Sequence, residues 1–129
     1  MLPADDNVFL AARFPGHQVA VEGGMTCVLI PALQLPPGLS HSTGDLLLRL
    51  SGGYPDVPPD MFWFDPHLRR ADGASIDRAD QFENYLGRLW QRWSRHMNPG
   101  AWRSGTDGLR SFLTLIEKEL ARAALRNAA

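Results

Sequence analysis

One thiol, four imidazoles and a short polar loop hold most of the chemical potential of this chain. Cys27 is the only cysteine, which excludes an internal disulfide and a cysteine-cluster zinc site. It lies between Thr26 and Val28, beside the apolar run Val28-Leu29-Ile30. There it reads as a small buried hydrophobe with an unreactive thiol. His17, His41, His67 and His96 are scattered without metal-ligand spacing, so no metal site is expected. Neither standard glycine-rich phosphate loop is present. No cofactor is expected, and any nucleotide chemistry belongs to a partner. The polar, turn-like stretch over residues 65–81 is denser, carrying His67, Asp72, Ser75 and Asp77. Imidazoles can act as bases near neutral pH, and a hydroxyl needs such a base before it is a useful nucleophile.

That loop is delivered by an unusually stiff approach. Gly53-Tyr54-Pro55-Asp56-Val57-Pro58-Pro59 follows a strand, and Met61-Phe62-Trp63-Phe64 follows the prolines as a short apolar strand. Each proline fixes its own φ and biases the residue before it towards extended conformations. Upstream, residues 3–14 read as a first helix, with Asp5, Asp6 and Asn7 placed to cap it and Leu2, Val8, Phe9 and Ala12 on one side. Residues 17–22 and 25–33 read as strands joined by a Gly23-Gly24 hairpin, and 45–50 as a third. Leu46, Leu47 and Leu48 leave the buried side of that third strand open. With 61–64 as the fourth strand, short connections argue an antiparallel meander.

Residues 82–93 fit two readings. Phe82, Leu86, Leu89, Trp90 and Trp93 match a helix face, while Gly87 costs such a helix roughly 1 kcal/mol relative to alanine. Residues 97–105 read as loop. The clearest helix follows, capped by Ser104 or Thr106, striped by Leu109, Phe112, Leu113, Ile116 and Leu120, and running to about Arg122.

The 129 residues fit one α+β domain over 1–129 with room for a sizeable core. A formal charge of −1 gives no electrostatic case for nucleic acid or an anionic membrane. No apolar run approaches a membrane span, and no secretory leader is visible, so the expected location is the cytoplasm. Lys118 is the only lysine. That fits codon bias in a GC-rich genome, and it also suits a protein that handles activated acyl groups and gains from few competing amines.

Helix, four-stranded meander, Tyr54-Pro55-Asp56-Val57-Pro58-Pro59 turn, irregular loop and C-terminal helix together resemble the ubiquitin-conjugating-enzyme fold. Asp65-Pro66-His67 stands where that family usually carries His-Pro-Asn. More narrowly, the chain resembles the bacterial ubiquitin-conjugating-like proteins termed prokaryotic family E. Three stretches carry this: residues 58–66, the run Trp90-Gln91-Arg92-Trp93-Ser94-Arg95-His96, and Trp102-Arg103-Ser104-Gly105-Thr106-Asp107-Gly108-Leu109. The resemblance covers roughly residues 5–122. It implies three partners: a ubiquitin-like protein, an activating enzyme that adenylates it, and often a deconjugating peptidase.

The resemblance also implies a thioester-forming cysteine at a set spacing past the proline of His-Pro-Asn. Here that spacing from Pro66 reaches Ser75, and counting from the glycine reaches Ile76. His67 replaces the oxyanion-stabilising asparagine. Two readings follow. Ser75 carries the acyl group as an oxyester, with His67 or His96 as base and Asp72 or Asp77 orienting it. Alternatively the domain is a non-catalytic module that scaffolds its partners, and Ser75 is a loop or capping serine. Contact with the activating enzyme is implied for Asp5, Asp6, Phe9 and Arg13. Arg92 and Arg95 offer forks for the carboxylate of a partner's C-terminal tail, with Trp90, Trp93 and Trp102 packed around His96.

Overall fold

Acidic side chains in the first turn and Arg13 in the last suit the helix dipole, and the chain opens with α1, Ala4–Arg13. The computed structural model describes residues 2–95 and 100–125. After α1 come β1 (Gln18–Glu22), β2 (Met25–Gln34), β3 (Thr43–Leu50) and β4 (Met61–Asp65). Gly23 and Gly24 turn the first hairpin with φ of 60° and 76°, as a tight two-residue connection requires. Pro31 cannot donate to the ladder, and the β2–β3 register shifts between Ile30 and Leu33. The Ala32 amide within that shift donates to Asp45 Oδ1 at 2.9 Å.

The sheet has six strands, which corrects the four-stranded expectation. Residues 82–93 are not helical. They form a hairpin of β5 (Gln81–Tyr85) and β6 (Arg88–Ser94), and the strand order is β1-β2-β3-β4-β6-β5. Leu86 and Gly87 turn this hairpin with φ of 54° and 73°. The glycine that argued against a helix is therefore a turn residue, and its leucine partner disguised a signal that usually reads Asn-Gly.

Side chains alternate across a strand, so β3 and β4 each feed two cores. Leu46, Leu48, Phe62 and Phe64 join Val28, Ile30 and Trp93 under α1 and the last helix, α2 (Leu109–Leu125). Leu47, Trp63, Trp90 and Cys27 form a smaller cluster on the other face. This is why Leu46, Leu47 and Leu48 are all 0 % exposed. The Cys27 thiol lies sealed in that second cluster. The sheet also coils until its two edges approach, and both carboxylate oxygens of Glu22 on β1 lie 3.1 Å from the Leu86 amide.

Both helix caps differ from the sequence reading. Pro3 occupies the cap of α1 with no side-chain bond. Asp6 turns inward instead, 4 % exposed, and its Oδ1 accepts the Leu109 amide of α2 at 2.9 Å. A carboxylate at that helix N-terminus meets both an unpaired amide and the positive end of the dipole. Among the described residues neither Ser104 nor Thr106 caps α2, and the Ser104 hydroxyl donates to Asp56. Gly108 leaves the space that Asp6 needs, since a Cβ there would lie 2.7 Å from Asp6 Oδ1. The second oxygen of Asp6 accepts the Tyr54 hydroxyl at 2.6 Å, which ties the proline turn to both helices.

Removing that hydroxyl with Tyr54→Phe is expected to cost about 1.5 kcal/mol, read from urea unfolding. Burial, with the Asp6 hydrogen bond and charge, pushes the Tyr54 phenol far above its ordinary value of 10.0. The folded chain then holds a proton that the unfolded chain has released, so stability falls as pH climbs past that value. Tyr54→Phe should flatten this alkaline decline. An equally steep decline in the variant would show that the Tyr54 proton is not held by the fold.

Candidate functional site

The proline turn is docked rather than free. Beyond Tyr54, the Pro55 carbonyl accepts the Trp102 indole N–H at 2.8 Å, and Asp56 accepts Ser104. The segment leading into α2 thus holds residues 54–56 on one side, while β4 carries the chain away on the other.

After β4 the loop over 66–80 is pinned at successive points. Gln91 of β6 is 4 % exposed and spends its whole amide on this task. Its Oε1 accepts the Leu68 amide at 2.8 Å and the Trp93 indole at 3.0 Å. Its Nε2 donates to the carbonyls of Leu68 at 3.0 Å and Ala79 at 2.9 Å. One side chain therefore clamps both ends of the loop to the sheet. Ser40 and Arg69 exchange backbone and hydroxyl hydrogen bonds, and Leu68, Ile76 and Ala79 are buried. Arg70 is also buried, donating to the Ala123 carbonyl of α2 and to Asp72.

Ser75 sits exposed between these anchors, directly before buried Ile76. It lines a depression of about 500 Å³ with Arg70, Arg78, Arg95 and Arg122, against Asp77 and Glu119. Four guanidinium groups and two carboxylates make its lining cationic. Arg95 is 9 % exposed and pairs with Glu119 at 2.7 Å. Burial pulls its guanidinium down from the ordinary value, and Glu119 opposes that. Arg95 also donates to the Asp77 carbonyl at 3.0 Å, bracing the loop just past Ser75.

The other site candidates are dispersed. His67 is exposed, and its ring meets Phe82 edge-on at 5.7 Å, outside the lining of the Ser75 depression. Asp72 is taken up by Arg70 and by the Ala74 amide at 3.0 Å. His96 lies outside the described residues. Among the described residues Ser75 makes no hydrogen bond to a base. Of the partner-binding candidates, Asp5 and Arg13 face solvent, with Arg13 paired to Glu117, while Asp6 and Phe9 are interior. Asp5 and Phe9 border a groove of about 660 Å³ between α1 and the start of α2. Arg92 pairs with Glu83 at 2.9 Å on the face away from the helices, so Arg92 and Arg95 do not share a site. Among the described residues, no group of three or more His, Cys, Asp or Glu could hold a metal ion. No helix there is long and apolar enough to cross a membrane.

Sequence reasoning missed Gln91 and Arg70. Gln91 was findable: once residues 88–94 are read as a strand, alternation with Trp93 puts a glutamine inside. The burial of Arg70 had no sequence signal, because α2 supplies its acceptor from far along the chain.

A model of the family described as Prokaryotic E2 family E matches residues 2–123. Comparison with curated proteins and with solved structures finds no match.

Gln91→Leu keeps the volume and strands four partner groups, each buried polar group costing about 1–3 kcal/mol when left unpaired. We expect a loss of roughly 3 kcal/mol in urea unfolding. The Leu68 amide should exchange faster, while β2 and β3 amides stay protected. A Leu68 amide that remains protected would show that the loop is held by something other than Gln91.

Proposed function

The chain belongs to prokaryotic E2 family E, and from that membership we propose that it receives a ubiquitin-like protein from an adenylating activating enzyme and presents it without a catalytic cysteine. The family gives the chain a role related to ubiquitin conjugation, with ubiquitin-like proteins and activating enzymes as its general class of partner. The observation that carries the finer reading is the pairing of a sealed thiol with an open serine. Cys27 is 1 % exposed inside β2, and Ser75 stands in solvent on an arginine-lined depression.

In this reading the C-terminal tail of the ubiquitin-like protein lies in that depression, held by guanidinium donors suited to carbonyl and carboxylate oxygens. The Ser75 Oγ takes the acyl group as an ester. The bond between the tail's carbonyl carbon and the adenylate made by the activating enzyme breaks, and AMP leaves with that bond's electron pair. The hydroxyl proton passes to a histidine or to water. His67, His96 and Asp72 remain the proposed base and orienting groups. The activating enzyme docks at the groove beside α1, which Asp5, Asp6 and Phe9 line, and reaches Arg13 at the far end of that helix. A peptidase that removes the modifier completes the proposed pathway.

A second reading rests on a separate observation. The Ser75 hydroxyl has no described base beside it, and a serine without one is a poor nucleophile. In that case the domain scaffolds the ubiquitin-like protein and activating enzyme non-covalently.

Reconstitution with the activating enzyme, ATP and the ubiquitin-like protein separates the two. The first reading expects a hydroxylamine-sensitive adduct that Ser75→Ala abolishes. An adduct surviving in Ser75→Ala would remove Ser75 as the acceptor. A stable complex with no covalent mass increase in either protein would establish the scaffold.

A further inference from the structure

A third cavity, of about 370 Å³, lies between the proline turn and the sheet face away from the helices. Arg49 of β3 lies across it, its guanidinium stacked 3.7 Å from the centroid of the Tyr85 ring. Glu83, which also lines the cavity, is already committed. It accepts the Trp63 indole at 2.9 Å and the Tyr85 hydroxyl at 3.0 Å, and it pairs with Arg92 at 2.9 Å. Arg49 is left without an anion. Among the described residues it forms no ion pair and no side-chain hydrogen bond, and its Nε–H is sealed from solvent with no acceptor.

We propose that this cavity binds a carboxylate carried on an apolar stem, with the Arg49 guanidinium as its anchor. The stack on Tyr85 fixes the plane of the guanidinium and leaves its terminal N–H groups to grip two oxygens as a fork. Half-burial strengthens such a pair relative to one in open water. Met25, Val57, Pro58 and Met61 form apolar walls for the stem. Asp60 also borders the cavity but is exposed, where water and salt screen its repulsion. The volume suits an acidic side chain with part of its backbone, or a short free acid. The site lies apart from the Ser75 depression and stands whether or not Ser75 carries an acyl group.

The test is a titration of the full chain followed by amide and indole NMR. The probes are acetyl-Leu-Glu-amide, its Gln counterpart acetyl-Leu-Gln-amide, and butyrate. Saturable shifts are expected at the Trp63 indole N–H and the Tyr85 amide with a carboxylate probe. The Gln peptide should bind at least roughly tenfold more weakly. Arg49→Gln, which keeps a planar group over Tyr85, should lose the response. Binding of the Glu peptide alone assigns the site to protein segments, and binding of butyrate alone assigns it to free acids. Equal binding of the Glu and Gln peptides, no saturable shift with any probe, or an unchanged response in a folded Arg49→Gln overturns the proposal. The three probe titrations need only the unaltered protein, so together they decide the matter even if Arg49→Gln fails to fold.

Discussion

The buried carboxylate of Asp6 is the joint on which the helical layer and the proline turn both depend. It takes one hydrogen bond from the first amide of α2 and one from Tyr54. A carboxylate taken out of water is costly unless its lone pairs are used. Here one oxygen serves a helix N-terminus and the other a phenol, so the cost is offset by two charge-assisted bonds. These bonds set where α2 begins, how α1 lies against it, and where residues 54–59 leave the sheet. Gly108 is part of the same constraint, because a side chain there would occupy the space of the carboxylate.

The candidate loop depends on a second buried polar group of a different kind. Gln91 is neutral, and its amide satisfies two donors and two acceptors at once. An irregular segment has no ladder partners for its backbone, so something must supply them if it is buried. Gln91 does so at Leu68 and Ala79, and Arg70 and Arg95 extend the bracing towards α2. Ser75 is thereby presented on a held loop, beside positive charge. The proposed seat for a partner's C-terminal tail rests on this arrangement.

The two faces of the sheet divide the chemistry. The helix-covered face builds the main core and supports the Ser75 loop at its edge. The opposite face is only partly closed, by Trp63, Trp90, Leu47 and Cys27. Its coil brings Glu22 to Leu86, and a stacked arginine lies near its mouth. Cys27 lies on this second face, buried in that cluster at 1 % exposure.

Much of this was legible from residue order alone. Gly23-Gly24, the proline run, the leucines of β3 and the stripe of α2 are local signals, and each determined its own element. The family resemblance at Tyr54-Pro55-Asp56-Val57-Pro58-Pro59 is likewise a property of the chain, as is the interior nature of Cys27. Residues 82–93 stayed ambiguous because their apolar spacing fits a helix while Gly87 argues against one. Pairing with β4 and the positive φ at Leu86 and Gly87 decided for a hairpin. Asp6 looked like a cap for its own helix, and only the approach of α2 made it the cap of another. Gln91, Arg70 and Arg49 acquire their roles from partners 23, 53 and 36 residues away in sequence. Local propensity acts through neighbours along the chain, whereas buried polar groups find their partners only after the layers have packed.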